Sequence, residues 1–319
     1  MSKKFEDTLI SIFENLTTLS FRVSFSGHKI FVCGGKVDIK EPVPPSFRDR
    51  FFSYTAKNFS IIHESLVLAE DFKDYFKNNA YPDLLVFEEE IANISSLVIL
   101  FLESPGSLVE LGMFCTKENL YKKLVIVAPQ EEIQSEDSFI YLGPLENIER
   151  KCQGSVFICP WPSASQNEYD DNHLYNLSTS INNKLKNISK SQKFDTKNSG
   201  HVAFLIYEII TICFPITISE IELALEAIEV KASYSEVARH LYLLSKLTFI
   251  KMYPYGGYKY YHPSDNDTSL IKITSSPSFD RNTVRIKILG SFVMESDDQS
   301  RKRQSALKEI NRINSGATQ

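Results

Sequence analysis

The sequence predicts an α/β protein with a parallel, flavodoxin- or Rossmann-like sheet, followed by a C-terminal winged helix-turn-helix domain. Two observations predict the first part. Short apolar runs of strand length alternate with amphipathic runs of helix length as far as residue 160, and the apolar runs end in tight, polar turns. One observation predicts the second part: three helical segments precede two tyrosine-rich strands that flank Pro254-Tyr255-Gly256-Gly257.

The elements follow in order. Phe5, Leu9, Ile10, Ile12, Phe13 and Leu16 recur at helical spacing. His28 to Cys33, with Ile30, Phe31 and Val32, reads as a buried strand stopped by Gly34-Gly35. A helix over Phe47 to Phe59, a short strand at Ile61-Ile62 ending at His63-Glu64, and a helix over Leu84 to Ile94 come next. Ser96 to Leu102 is an apolar run of strand length, Pro105 to Asn119 a helix, and Lys123 to Ala128 and Ser155 to Cys159 further strands. Residues 1–162 form the first domain. Residues 163–200 form a connecting helix (Leu174, Leu177, Ile181, Leu185, Ile188) flanked by polar linkers. Residues 201–295 hold the winged helix, with helices over His201 to Phe214, Ser219 to Ile228 and Ser233 to Leu247, the second capped by Ser219 with Glu222 in capping-box spacing. Residues 296–319, with Arg301-Lys302-Arg303, form a charged tail that is disordered or loosely helical.

Composition narrows the class. The chain has 319 residues, 43% hydrophobic and 24% charged, with a formal net charge of −5. That balance excludes a generally basic nucleic-acid binder, so any such contact needs a local patch. The apolar stretch from Val202 to Ile216 carries Glu208 and is too short to span a bilayer. The five cysteines include no CxxC pair, so neither a zinc site nor a disulfide framework is expected. With no signal peptide at the N-terminus, a reduced, cytoplasmic protein is expected.

Ligands of parallel sheets bind at the carboxyl ends of the strands. Here those ends are Cys33-Gly34-Gly35, His63-Glu64 and Glu103-Ser104-Pro105-Gly106-Ser107. Pro105 suits a first helical position. Gly106 lets a ligand approach the backbone, and Ser107 offers a hydroxyl and an N–H. Glu110 follows on the helix, where the positive end of the dipole favours its ionised form. Such a carboxylate suits a glycosyl-transferring nucleophile. Arg48 and Arg50 are candidates for reaching phosphates, Cys33 reads as a small buried residue, and His63 as structural.

Gly106-Ser107-Leu108-Val109-Glu110-Leu111-Gly112 resembles the Gly-Thr-x-x-Glu-Leu-Gly signature of nucleoside 2-deoxyribosyltransferases. A longer ordered series resembles retron-associated effectors of that kind. It comprises Phe31-Val32-Cys33-Gly34-Gly35, Glu103 to Ser107 with Glu110-Leu111-Gly112, Asn119 to Leu124, and Ser138-Phe139-Ile140 with Gly143-Pro144. The resemblance covers residues 25–160 and implies a chemistry. Glu110 attacks C1′ of a ribose or deoxyribose, expels the base and forms a glycosyl-enzyme, with no cofactor and with NAD as the leading substrate. Cys33, Gly34, Gly35, Glu88 and Glu103 to Ser107 line the substrate site. Glu88 either orients sugar hydroxyls or belongs to a solvated Glu88-Glu89-Glu90 face. The loop departs from the transferases, which carry an Asp before the Gly-Thr step where this chain has Ser104; this argues against simple deoxynucleoside exchange. The implied partners are the retron reverse transcriptase and its multicopy single-stranded DNA (msDNA), which restrain a toxin of phage defence, and the implied assembly is a homo-oligomer or larger.

In the second domain, Tyr234, Arg239, His240 and Lys246 lie on the expected recognition helix, and Lys251, Tyr253, Tyr255, Tyr258, Lys259, Tyr260 and Tyr261 on the wing. Tyrosines beside lysines suit stacking and phosphate contact, while basic and acidic residues nearly balance beyond residue 200. Arg239, Lys246, Lys251, Tyr255, Tyr258 and Lys259 are the candidate nucleic-acid or protein contacts. Two alternatives stand beside the NAD glycosidase: a nucleotide-sensing DNA-binding regulator without catalysis, and a glycosidase of deoxynucleosides or DNA bases. A phosphoribohydrolase, whose family shares a Gly-Thr-x-x-Glu step, ranks below both.

Overall fold

The computed structural model describes residues 3–24, 28–38, 40–72, 80–131, 138–162, 169–188, 191–264, 269–274 and 279–315. The chain divides into two compact units. One gathers Gly27–Phe76 and Pro82–Ser189, the other Met1–Ser26, Lys77–Tyr81 and Lys190–Gln319.

Helix α1 (Lys3–Phe13) and strand β1 (Phe21–Ser24) belong to the second of these, although the sequence places them in the first domain. The α/β unit begins with β2 (Ile30–Cys33) and continues through α2 (Phe47–Asn58), α3 (Ser60–Ser65), β3 (Leu66–Leu68) and α4 (Leu84–Ile94). It goes on with β4 (Leu97–Phe101), α5 (Pro105–Phe114), α6 (Glu118–Tyr121) and β5 (Leu124–Pro129). A π-helical turn over Tyr141–Leu145 leads into α7 (Glu146–Lys151), β6 (Val156–Cys159) and α8 (Asp171–Asn187).

The five strands form one wholly parallel sheet in the order β3-β2-β4-β5-β6. Ile30 pairs with both Leu66 and Leu97, Val98 with Leu124, and Ile126 with Val156. Every residue of β2 and β4 is buried, as a sheet covered on both faces requires. Within this sheet the order is 2-1-3-4-5. The chain runs from β2 outward to β3 and then returns to β4, so the topological switch lies between β2 and β4.

One face of the sheet, with Val32, Ile99, Phe101 and Val127, packs on Phe47 and Phe51 of α2 and on Leu174, Leu177, Ile181 and Leu185 of α8. The predicted connecting helix is therefore a sheet-covering helix. Its apolar stripe was legible, but stripe alone does not say which surface it meets. The flanking polar stretches 163–168 and 189–190 lie outside the described residues. The predicted strand at Ile61-Ile62 is also corrected: those residues sit in α3, and the strand is Leu66–Leu68. Ser60 to Ser65 alternates too little to decide between the two states, and the edge position of β3 needs only three residues.

The second unit is built around α9 (Ser199–Cys213), buried on all sides from Gly200 to Cys213. It is followed by α10 (Ile218–Ala227), α11 (Tyr234–Lys246), and a hairpin of β8 (Ile250–Tyr255) with β9 (Tyr258–Pro263). Gly256 and Gly257 turn the hairpin at φ 59 and 86°, left-handed conformations that favour glycine. Strand β1 pairs antiparallel with β7 (Ser191–Lys193) and with β10 (Ile271–Ile273). Helices α12 (Arg281–Val293) and α13 (Asp298–Asn314) close the unit. The expected cap at Ser219 with Glu222 is replaced by Thr217 with Glu220, two residues earlier, where the same spacing occurs. The expected loose tail is an ordered helix through Asn314; Arg303, Ala306 and Ile310 are buried in it. No helix among the described residues is long and apolar enough to cross a membrane.

Candidate active site

The loop after β4 and the start of α5 are closed by a reciprocal cap. Ser104 Oγ accepts from the Ser107 N–H at 3.1 Å, and Ser107 Oγ accepts from the Ser104 N–H at 3.1 Å. The Ser107 hydroxyl donates in turn to the Ser104 carbonyl at 2.7 Å, and Ser107 is 1% exposed. Its N–H and hydroxyl, predicted as ligand contacts, are thus spent within the chain. Pro105 sits in the first turn, exposed. Gly106 is exposed as well, and a side chain there would meet only Ser104 Oγ at 3.7 Å, so the space above this backbone is open.

Glu103 has a structural task. Its carboxylate accepts from the Gly35 N–H at 2.8 Å, the Phe47 N–H at 2.7 Å and the Arg48 N–H at 3.1 Å. One side chain therefore caps α2 and ties down the turn after β2. Gly34 and Gly35 are required by that approach. A Cβ on Gly34 would meet Phe101 Cβ at 2.8 Å, and one on Gly35 would meet Ser46 Cβ at 2.7 Å. The two glycines and Glu103, predicted to line the substrate site, pack closely on one another and on the start of α2.

Three side chains converge beside the end of β2. One ligating atom each of Cys33, Glu88 and Glu110 lies within 4.8 Å of the others. They come from the end of β2, from α4 and from α5, next to the switch between β2 and β4. Glu88 is 4% exposed and does not belong to a solvated face; Glu89, its neighbour, points to Lys117 as an ion pair. Burial first, then the charges of Glu110 and Glu70, push Glu88 up to about 8, against a lowering by Arg48. Burial also raises Glu110, opposed by its hydrogen bond with Cys33 and by Arg48. Desolvation is the largest influence on Glu110 and opposes the ionised form that the helix dipole was expected to favour. Burial and both carboxylates push the Cys33 thiol well above its ordinary value, so it is a neutral S–H.

Two carboxylates so close do not both ionise readily, and the pair holds one proton over a wide range. The environments divide the roles. Glu88 keeps the proton, and Glu110 has Cys33 and Arg48 to support its charge. Glu88 Oε2 and Glu110 Oε2 are both buried and have no hydrogen-bond partner among the described residues.

Arg48 is buried. It donates to the Val32 carbonyl at 3.1 Å and pairs with Glu70, so it anchors the site from below instead of reaching outward. Arg50 lies 5.9 Å from the Tyr169 ring centroid. His63 and Glu64, predicted at a strand end, stand on α3, where the His63 ring packs 4.5 Å from Phe52. The carboxyl end of β3 is Ala69-Glu70 instead. Glu70 was missed; the signal was the apolar triplet Leu66-Val67-Leu68 just before it.

In the second unit, the predicted contact residues part company. His240 is buried, and burial pushes its imidazole down to about 4, so it is a neutral core residue. Arg239 is half-buried beside Tyr81, 5.9 Å from the ring centroid, and Lys246 is exposed near Tyr242. On the hairpin, the register places Lys251, Tyr255 and Tyr258 on one face and Lys259 on the other. Lys302 of α13 lies over Tyr258 at 5.5 Å, on the first of these faces.

The fold and site define an open, doubly wound α/β protein with a buried acidic pair at its switch point. A family model described as STM3845 retron effector protein matches residues 44–252, well over half of the chain, and the chain belongs to that retron effector family. Two Escherichia coli relatives are similar to it. "Retron Ec86 putative ribosyltransferase/DNA-binding protein" is 35% identical over 131 residues, 41% of this chain and 40% of that protein. "Retron Ec73 putative ribosyltransferase/DNA-binding protein" is 25% identical over 271 residues, 76% of this chain and 83% of that protein. The chain thus covers less than half the length of the first and most of the second.

Proposed function

We propose that this retron effector hydrolyses the N-glycosidic bond of a nucleotide, NAD foremost, through Glu110, on a fold of the nucleoside deoxyribosyltransferase kind. The observation that carries this reading is the pairing of Glu110 with Glu88. Glu88 retains its proton near neutral pH, the Cys33 hydrogen bond and Arg48 work against the burial that raises Glu110, and each carboxylate keeps a buried oxygen without a partner among the described residues.

In this reading Glu110 attacks C1′ as the C1′–N bond breaks, and the bonding pair leaves with the base. Nicotinamide departs as a neutral molecule from a cationic ring, so no general acid is needed. Water then attacks C1′ of the glycosyl-enzyme, the C1′–O bond to Glu110 breaks, and the water's proton passes to solvent, which restores the Glu110 carboxylate with retention at C1′. Neutral Glu88 donates a hydrogen bond to a sugar hydroxyl. The term ribosyltransferase in the names of both relatives supports this class of chemistry.

The three helices and hairpin of the second unit act, in the same reading, as a winged helix that holds the msDNA or the reverse transcriptase. These partners restrain the toxin until infection. The term DNA-binding in the relatives' names supports a nucleic-acid contact.

The test is incubation of purified wild-type and Glu110→Gln protein with NAD and, separately, deoxynucleosides, following free base by chromatography. Nicotinamide from wild type alone is expected, and adding reverse transcriptase and msDNA is expected to suppress it. Undiminished release by Glu110→Gln overturns the assignment.

A further inference from the structure

Cys33, Glu88 and Glu110 present a thiol and two carboxylates to one point, and their ligating atoms are within 4.8 Å of one another. We propose that these three side chains bind a single divalent ion of the zinc class, and that the bound ion blocks Glu110. The sequence predicted no zinc site, because its cysteines lack ligand spacing; the fold supplies the spacing from three separate elements.

The acidic pair does not carry this alone. Glu88 is 4% exposed, and its Oε2 has no partner among the described residues although it lies where water is scarce. Glu110 Oε2 is in the same state. Arg48, whose charge acts on both carboxylates, makes no hydrogen bond to either among the described residues: one nitrogen goes to the Val32 carbonyl and another to Glu70. Among the described residues, one guanidinium stands against three carboxyl groups, Glu70, Glu88 and Glu110.

The ligand set selects the ion. Magnesium and calcium take oxygen ligands, and a buried cysteine is a poor member of such a set. Zinc accepts a thiolate at about 2.3 Å and carboxylate oxygens at about 2.0–2.2 Å, commonly with three protein ligands and one open position. Those bond lengths need ligating atoms roughly 3.5 Å apart, which a small side-chain rotation reaches from the observed spacing. Binding forms one Zn–S and two Zn–O bonds and releases the thiol proton and the carboxyl proton to solvent. No oxidant or reductant is involved. The ion occupies the lone pair with which Glu110 would attack, so it is an inhibitor and not a cofactor; this half of the proposal rests on the glycosidase reading, while the binding half does not.

The test uses the full-length chain, stripped by chelation and then dialysed against Zn2+, with bound metal measured by elemental analysis. Co2+ serves as a spectroscopic probe, since a cobalt–thiolate bond absorbs in the near ultraviolet. Wild type is expected to retain one ion per chain and to show that band. Cys33→Ser is expected to lose the band, and Glu88→Gln to keep it while binding weakens by at least about tenfold, the loss that even outer-shell changes cause. Thermal melts check folding, and if Cys33→Ser does not fold, Glu88→Gln decides. Retention of no ion, an unchanged band in folded Cys33→Ser, or unchanged affinity in Glu88→Gln overturns the site. None of these readouts uses turnover, so a failed metal site is distinguishable from a failed glycosidase. Base release by metal-free wild type that Zn2+ leaves unaltered overturns the inhibitory half alone.

Discussion

Arg303 of the last helix and Glu220 at the start of α10 form an ion pair with side-chain exposures of 0% and 4%. The guanidinium also donates to the Pro215 carbonyl and lies 3.7 Å from the centroid of the Phe5 ring. Glu220 returns its other oxygen to the Thr217 N–H at 2.8 Å, as the cap of its own helix. One arginine therefore joins the first helix, the cap of α10 and the C-terminal helix.

Arg303→Met leaves the Glu220 carboxylate buried without its partner. The expected cost is about 3–5 kcal/mol, the usual result of removing one member of a buried pair. Urea denaturation followed by circular dichroism measures it. The double variant with Glu220→Gln is expected to recover part of the loss, since no bare charge then remains. Equal losses in single and double variants would show that ring packing on Phe5, not charge, is what Arg303 provides.

Glu103→Gln replaces a carboxylate that accepts from three backbone N–H groups with an amide that has one accepting oxygen. At least one amide loses its acceptor, at a cost of about 1–3 kcal/mol. Base release is expected to fall together with stability, because the start of α2 and the Gly34-Gly35 turn both loosen. A variant as stable as wild type would contradict the clamp.

Glu88 gives stability a pH dependence of known sign. Its carboxyl titrates near 4.5 when unfolded and is pushed up to about 8 in the fold, so the folded state holds one more proton between those values. Stability therefore falls as pH rises through that window, by at most about 1.4 kcal/mol per pH unit for one proton. Glu88→Gln is expected to flatten this part of the profile, measured as melting temperature between pH 5 and pH 9. Base release by wild type should decline above about pH 8 as Glu88 loses its donor proton. A profile unchanged in Glu88→Gln would reassign the proton.

Lys251 and Lys259 stand on opposite faces of the hairpin, so charge reversal at each distinguishes the faces. If the msDNA tracks the tyrosine face, Lys251→Glu weakens its binding and lowers the salt slope by about 0.7–0.9 per lost phosphate contact, whereas Lys259→Glu leaves both unchanged. The converse pattern places the nucleic acid on the Lys259 face. Salt-dependent titration of labelled msDNA measures the difference.

Local pattern by itself determined much of this protein. Apolar runs flanked by turn residues located β2, β4, β5 and β6. The start of α5 was legible because Ser104-Pro105 announces a helix. Glu110 stood out because the strand, tight loop and helix that deliver it are contiguous in sequence. Tertiary structure alone decided the rest. Glu88 could have faced water or the crevice, and only the packing of α4 buried it. Glu103 looked like a ligand contact because a motif shows which groups are polar, not which are already satisfied by distant backbone; Ser107 is satisfied locally, in the cap it forms with Ser104. Helix α8 looked like a connector and α13 like a tail, since an amphipathic stripe does not name the surface it will cover. The acidic pair and its thiol are a property of no segment: their proximity follows from strand order, which long-range pairing sets and no short-range periodicity encodes.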